Sequence, residues 1–137
     1  MTEKDLIKTA KAAAKMSYSP YSNCRVGAAL LCDNGKVYTG CNIENASFSP
    51  TVCAERTAFF KAISEGEDEF KMIAVYGEKD GKGETPFYPC GVCRQVMAEF
   101  CGSDFTILVA TDDDYEKFTL SDLLPHTFSI EKGADSK

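Results

Sequence analysis

Met72-Ile73-Ala74-Val75-Tyr76, the Gly- and Pro-rich stretch 77–89, the segment Gly91 to Phe100, and Phe105-Thr106-Ile107-Leu108-Val109-Ala110 read in turn as strand, loop, helix and strand. Both apolar runs have strand length. Between them Val92, Val96 and Phe100 fall on one side of a helix running from about Gly91 to Phe100. A strand–helix–strand unit of this kind closes as a right-handed crossover and pairs its strands in parallel.

Upstream, Thr2 with Asp5 three residues on is a helix start of the capping-box kind. Leu6, Ala10, Ala13 and Ala14 follow on one stripe, and Ser19-Pro20-Tyr21-Ser22-Asn23 breaks the helix. Val26 to Cys32 is an apolar run of strand length. Asp33-Asn34-Gly35 is a tight-turn signal, and 36–40 alternates, so residues 26–41 read as a hairpin. The polar stretch 42–52 leads to a second helix near Cys53, with Ala54, Ala58, Phe59, Ala62 and Ile63 on one face and Gly66 at its end. Downstream, 115–120 reads as an edge strand. Ser121-Asp122 starts a short helix ending by Pro125, and the polar tail 131–137 reads as loose. The order predicts an α/β fold in one domain spanning 1–137: three layers, α/β/α, around a single mixed sheet of about five strands.

Composition narrows the function. The chain has 137 residues and a formal net charge of −6, which disfavours a polyanionic partner. Its first residues lack a signal peptide's apolar core, and no apolar run is long enough to span a bilayer, so a cytoplasmic protein is expected. Seven cysteines, an odd number, argue against a closed disulfide framework. Cys24, Cys32, Cys41 and Cys101 read as small buried thiols.

The other three carry chemistry. Cys53-Ala54-Glu55 and Pro89-Cys90-Gly91-Val92-Cys93 offer three soft ligands that suit Zn²⁺ and leave its fourth tetrahedral position open, the arrangement of a catalytic site. Cys53 and the Cys90/Cys93 pair fall at the predicted starts of two helices, where the dipole and free N–H groups favour thiolate. Pro89 lacks an N–H and fits ahead of a helix. Glu55 is placed to handle the protons of an activated water. Taken alone it would be a first-turn acid complementing the dipole. Beside three thiols it fits the zinc-deaminase pattern. Three thiolates overcompensate a divalent cation, and Arg56 is positioned to draw charge off the sulfurs. His126, the one histidine, is expected to face solvent and is not a ligand.

Four segments then resemble the cytidine deaminase family, in its small homotetrameric branch. They are Val26-Gly27-Ala28-Ala29-Leu30, Gly40-Cys41-Asn42-Ile43-Glu44-Asn45-Ala46-Ser47, Cys53-Ala54-Glu55-Arg56-Thr57-Ala58, and Pro89-Cys90-Gly91-Val92-Cys93-Arg94-Gln95-Val96. Leu123-Leu124-Pro125 and Phe128 are similar to the family's C-terminal end. The resemblance implies one zinc per chain and hydrolytic deamination of free cytidine and deoxycytidine to uridine and deoxyuridine, a step of pyrimidine salvage. It implies that Glu55 moves a proton to N3 and then assists loss of the amine. It further implies that the Ala54 backbone helps hold the pyrimidine or the attacking oxygen, and that Asn42 and Glu44 bind the ribose hydroxyls. Phe48 and Phe128 match aromatic positions that the family presents from neighbouring chains of a homotetramer. By residue type alone both are expected in the core. Cys24 departs from the family, which places there a Phe that packs on the pyrimidine. Three competing readings remain: a deaminase of a cytosine-containing antibiotic, a polynucleotide-editing deaminase, and a structural zinc module that binds a partner protein.

Overall fold

The computed structural model describes residues 1–133. The last four positions of the tail predicted as loose lie outside these; 131–133 are exposed and outside regular structure. The elements are α1 (Glu3–Ala14), β1 (Cys24–Cys32), β2 (Val37–Cys41), α2 (Ala54–Ser64), β3 (Phe70–Lys79), α3 (Gly91–Phe100), β4 (Thr106–Ala110), β5 (Tyr115–Thr119) and α4 (Leu120–Leu123). They build one five-stranded sheet in the order β2-β1-β3-β4-β5. Only β3 and β4 run parallel, joined through α3 as the crossover predicts; the other neighbours are antiparallel.

Strand alternation sends side chains to two separate cores. Ala29, Leu31, Ala74, Tyr76, Leu108 and Ala110 meet Leu6, Ile7, Ala10 and Ala14 of α1 on one face. Ala28, Leu30, Ile73, Val75, Ile107 and Val109 meet α2 and α3 on the other. Helices on both faces of a mixed sheet give the predicted three layers. Two glycines let helices approach closely. A Cβ on Gly27 would stand 2.1 Å from the Ala10 carbonyl oxygen of α1, and one on Gly40 2.3 Å from the Ala54 carbonyl oxygen of α2. Gly40 thereby seats the N-terminal end of α2 on β2.

The Thr2/Asp5 capping box starts α1 as expected. Other expectations shift. β3 runs to Lys79 rather than Tyr76, because it pairs along the whole of β1 from Cys24↔Lys79 to Cys32↔Phe70. The buried side of α3 is Cys93 and Met97; Val92 is 58% exposed and Phe100 also reaches solvent. Cys93 must turn inward to meet Cys53 and Cys90, and that rotation carries Val92 outward. Of the four remaining cysteines only Cys32 is fully buried; Cys24, Cys41 and Cys101 are partly so. α4 begins at Leu120, one residue before Ser121, and is capped by Thr119 with Asp122.

Candidate active site

Cys53 is the N-cap of α2 and Cys90 the N-cap of α3, both in extended backbone and neither using its side chain as a cap. The sulfurs are therefore free to face each other across the two helix ends. Cys53 Sγ lies 3.7 Å from Cys90 Sγ, and Cys90 Sγ lies 3.6 Å from Cys93 Sγ. All three sulfurs fall within 4.8 Å of one another. A tetrahedral zinc with Zn–S bonds of about 2.3 Å holds its sulfurs about 3.8 Å apart. The donor set and its spacing fit that ion. Cys24 is not among these sulfurs.

Hydrogen bonds from Cys93, Arg56 and Cys90 bring Cys53 down to about 5 against the opposing effect of burial. Cys93 is pushed up by its bond to that sulfur and by burial. Arg56 Nη2 donates to Cys53 Sγ at 3.4 Å, while its Nε is buried without a hydrogen-bond partner. Its guanidinium adjoins the sulfurs as the charge reading expects.

Glu55 is only 4% exposed, so it is not a solvated first-turn acid. Burial pushes its carboxyl up to about 7, its own backbone N–H opposes the shift, and the Cys53 sulfur adds to it. Glu55, Ala54, Cys53, Cys90 and Asn42 line one cavity of about 170 Å³. Thr51 also lines it and a neighbouring cavity of about 370 Å³ bordered by Tyr21, Ser22, Glu44 and Phe48. The two spaces share a wall, one beside the sulfurs and one beside Glu44.

Asn42 is built into the frame. Its Oδ1 accepts from Val26 N at 2.9 Å and from Ser17 Oγ, and its Nδ2 donates to the Cys24 carbonyl at 2.8 Å. One amide hydrogen of Nδ2 is left for a ligand. Glu44 Oε1 accepts from the Tyr21 and Ser22 backbone N–H groups at 2.9 and 3.1 Å, and Oε2 accepts from Ser22 Oγ. The Ser22 hydroxyl, with these N–H groups, holds the Glu44 carboxyl below the usual range and therefore charged.

Phe48 and Phe128 are not core aromatics: they are 75% and 71% exposed. Phe48 sits at φ 54°, a left-handed backbone rare for a bulky residue, and its polar loop offers no apolar layer to bury the ring. Phe128 lies beyond the last helix, tied to α3 by Gln95 Nε2 donating to its carbonyl at 3.1 Å. His126 is exposed, as expected.

Sequence reading passed over Phe87 and Tyr88, which also line the smaller cavity. They lie in a loop, where periodicity carries no signal; the available signal was an aromatic pair directly ahead of Pro89-Cys90. Arg94 fixes that loop, Nε donating to the Pro89 carbonyl and Nη1 to the Leu123 carbonyl, each at 2.7 Å.

A family model, described as the cytidine and deoxycytidylate deaminase zinc-binding region, matches residues 1–109. The chain belongs to this family of zinc-binding deaminases. A relative from Sporosarcina psychrophila named cytidine deaminase is 48% identical over 96% of this chain and 94% of its own length. Another of that name, from Halalkalibacterium halodurans, is 47% identical over 96% of this chain and 97% of its own. Among solved structures, the cytidine deaminase from Burkholderia pseudomallei superposes with a TM-score of 0.85 at 46% identity, covering 93% of this chain and all of that one.

Proposed function

We propose that this chain hydrolyses free cytidine and deoxycytidine to uridine and deoxyuridine with release of ammonia. One observation carries the reading: a carboxylate nearly sealed from solvent, Glu55, lines the same cavity as Cys53 and Cys90. A purely structural zinc has no use for that carboxylate.

Cys53, Cys90 and Cys93 would hold one zinc ion per chain, which would supply Lewis acidity and lower the pKa of a water toward roughly 7. Glu55 takes the proton of the attacking water and passes it to N3 of the cytosine. Oxygen joins C4; Glu55 then takes the remaining proton from that oxygen and gives it to the exocyclic amine, so that the bond from C4 to nitrogen breaks and a C4 carbonyl is left. Cytidine and water thus become uridine and ammonia. The Ala54 backbone, in the first turn of α2, holds the pyrimidine or the attacking oxygen. Arg56 draws negative charge off Cys53 through its hydrogen bond to that sulfur.

The remaining amide hydrogen of Asn42 and the charged Glu44 carboxylate bind the ribose hydroxyls. Glu44 favours a free nucleoside: a 3′-hydroxyl donates to a carboxylate, whereas a 3′-phosphodiester offers no proton and brings like charge. The net charge of −6 disfavours a polynucleotide in the same way.

Phe48 and Phe128 act in the sites of neighbouring copies in a homotetramer. Their exposure supports this, as does the left-handed backbone that presents Phe48. Exposed Phe60 and Val92 add apolar surface for assembly to cover. The chain acts as a single domain in cytoplasmic pyrimidine salvage; a site made of three reduced thiols suits a reducing compartment. Among the described residues no helix is long and apolar enough to cross a membrane.

Mixing purified protein with cytidine and following its absorbance band tests the reading. The band decays, chelation stops the decay, and added zinc restores it. A zinc-loaded protein that leaves cytidine and deoxycytidine intact overturns the proposal.

A further inference from the structure

We infer that Phe87 supplies the aromatic wall on which the pyrimidine packs, and so helps determine which bases this site accepts. The inference rests on the proposed cytosine substrate. Phe87 lines the cavity that also contains Glu55 and Cys53, and its ring has a built seat. A Cβ on Gly77 would stand 2.4 Å from both Cγ and Cδ1 of Phe87, so the ring lies directly on a bare stretch of β3. Gly77 pairs with Val26 of β1, itself a cavity residue.

This position also answers the departure at Cys24. Cys24 shares its sheet face with Val26, two residues along β1, and pairs with Lys79, two residues beyond Gly77. A ring at position 24 would be a diagonal neighbour of position 77, a separation of about 7–8 Å that aromatic side chains reach across. Cys24 itself does not line the cavity. The ring on Gly77 therefore lies within reach of the region that a Phe at position 24 would cover, approached from the loop instead of the strand.

Tyr88 lines the cavity too but is committed elsewhere. Its hydroxyl donates to Glu116 Oε1 at 2.5 Å, and its ring packs edge-on against Phe118 with centroids 5.9 Å apart. It anchors the loop to β5 and leaves Phe87 as the free face.

The test compares Phe87→Leu, Phe87→Tyr and Tyr88→Leu with the parent protein, each loaded with zinc. KM for cytidine is measured, together with Kd for uridine by calorimetry, zinc content and Tm. Loss of one base–aromatic stack predicts that Phe87→Leu raises both KM and Kd roughly 5- to 100-fold at constant zinc content. Phe87→Tyr retains parental values, and Tyr88→Leu shifts them less than Phe87→Leu does. Gly77→Ala, which pushes the ring away without deleting it, raises Kd as Phe87→Leu does and serves if that variant folds poorly. Unchanged uridine Kd in folded Phe87→Leu, or in Gly77→Ala, overturns the inference. If the parent binds both nucleosides but deaminates neither, the proposed reaction fails while the Kd comparison still decides the role of Phe87.

Discussion

Cys53 and Cys90 hold their sulfurs 3.7 Å apart although they belong to different helices, because each is the N-cap residue of its own. Two positive helix ends thus converge on one cluster of sulfurs, where negative charge accumulates. Substituting any of Cys53, Cys90 or Cys93 by Ser should reduce zinc from one ion per chain to near none by metal analysis, and abolish turnover with it. Full zinc retention in Cys53→Ser would show that the ligands lie elsewhere.

Arg56 spends one N–H on Cys53 Sγ and buries another without a partner. Leaving a donor so costs about 1–3 kcal/mol, a burden that a surface arginine does not carry. Arg56→Gln should retain zinc and lower kcat by roughly tenfold or more. Unchanged kcat at full zinc occupancy would remove the charge-offset role.

Glu44 accepts three hydrogen bonds from the Tyr21-Ser22 segment, so its carboxylate stands ready before any sugar arrives. Glu44→Gln should raise KM for cytidine roughly tenfold or more with zinc content unchanged, as expected for a charged hydrogen bond lost from the binding site. An intact KM would discard the ribose role.

Gly27 and Gly40 make a matched pair on opposite faces of the sheet. Each meets helix backbone too closely for a Cβ, so Ala at either position should destabilise by about 1–3 kcal/mol in denaturant titrations. Gly40→Ala moves the helix that starts at Cys53 and should also weaken zinc retention against a chelator. Gly27→Ala disturbs α1 alone and should retain zinc as the parent does. Equal zinc loss in both would mean that the site does not depend on the seat at Gly40.

The metal-ligand candidates were legible because their residue types and spacing are local. Cys53, Glu55 and the Cys90/Cys93 pair sit within short stretches, and both helix starts follow from nearby sequence. Likewise Thr2 with Asp5 marks α1 without help from the rest of the chain. β3 was read too short because its length comes from β1, its distant partner. On α3 apolar content favours Val92, Val96 and Phe100; Val96 does pack against the core, whereas contact with Cys53 and Cys90 turns Cys93 inward and leaves Val92 and Phe100 toward solvent. Phe48 and Phe128 carry hydrophobicity that normally marks a core, but they lie in segments with no layer to cover them. For Phe87 the aromatic pair ahead of Pro89-Cys90 is the one local signal; its seat depends on the missing side chain of Gly77, a relation between a loop and a strand that no local pattern carries.

Glu55→Gln examines the central claim most directly, since it removes the proton carrier and leaves the three sulfurs in place. Zinc content and the rate of cytidine absorbance loss are measured on the same preparation. The expected result is one zinc per chain with turnover reduced roughly 10²- to 10⁴-fold. A zinc-loaded Glu55→Gln protein that deaminates cytidine at the parental rate would contradict the account.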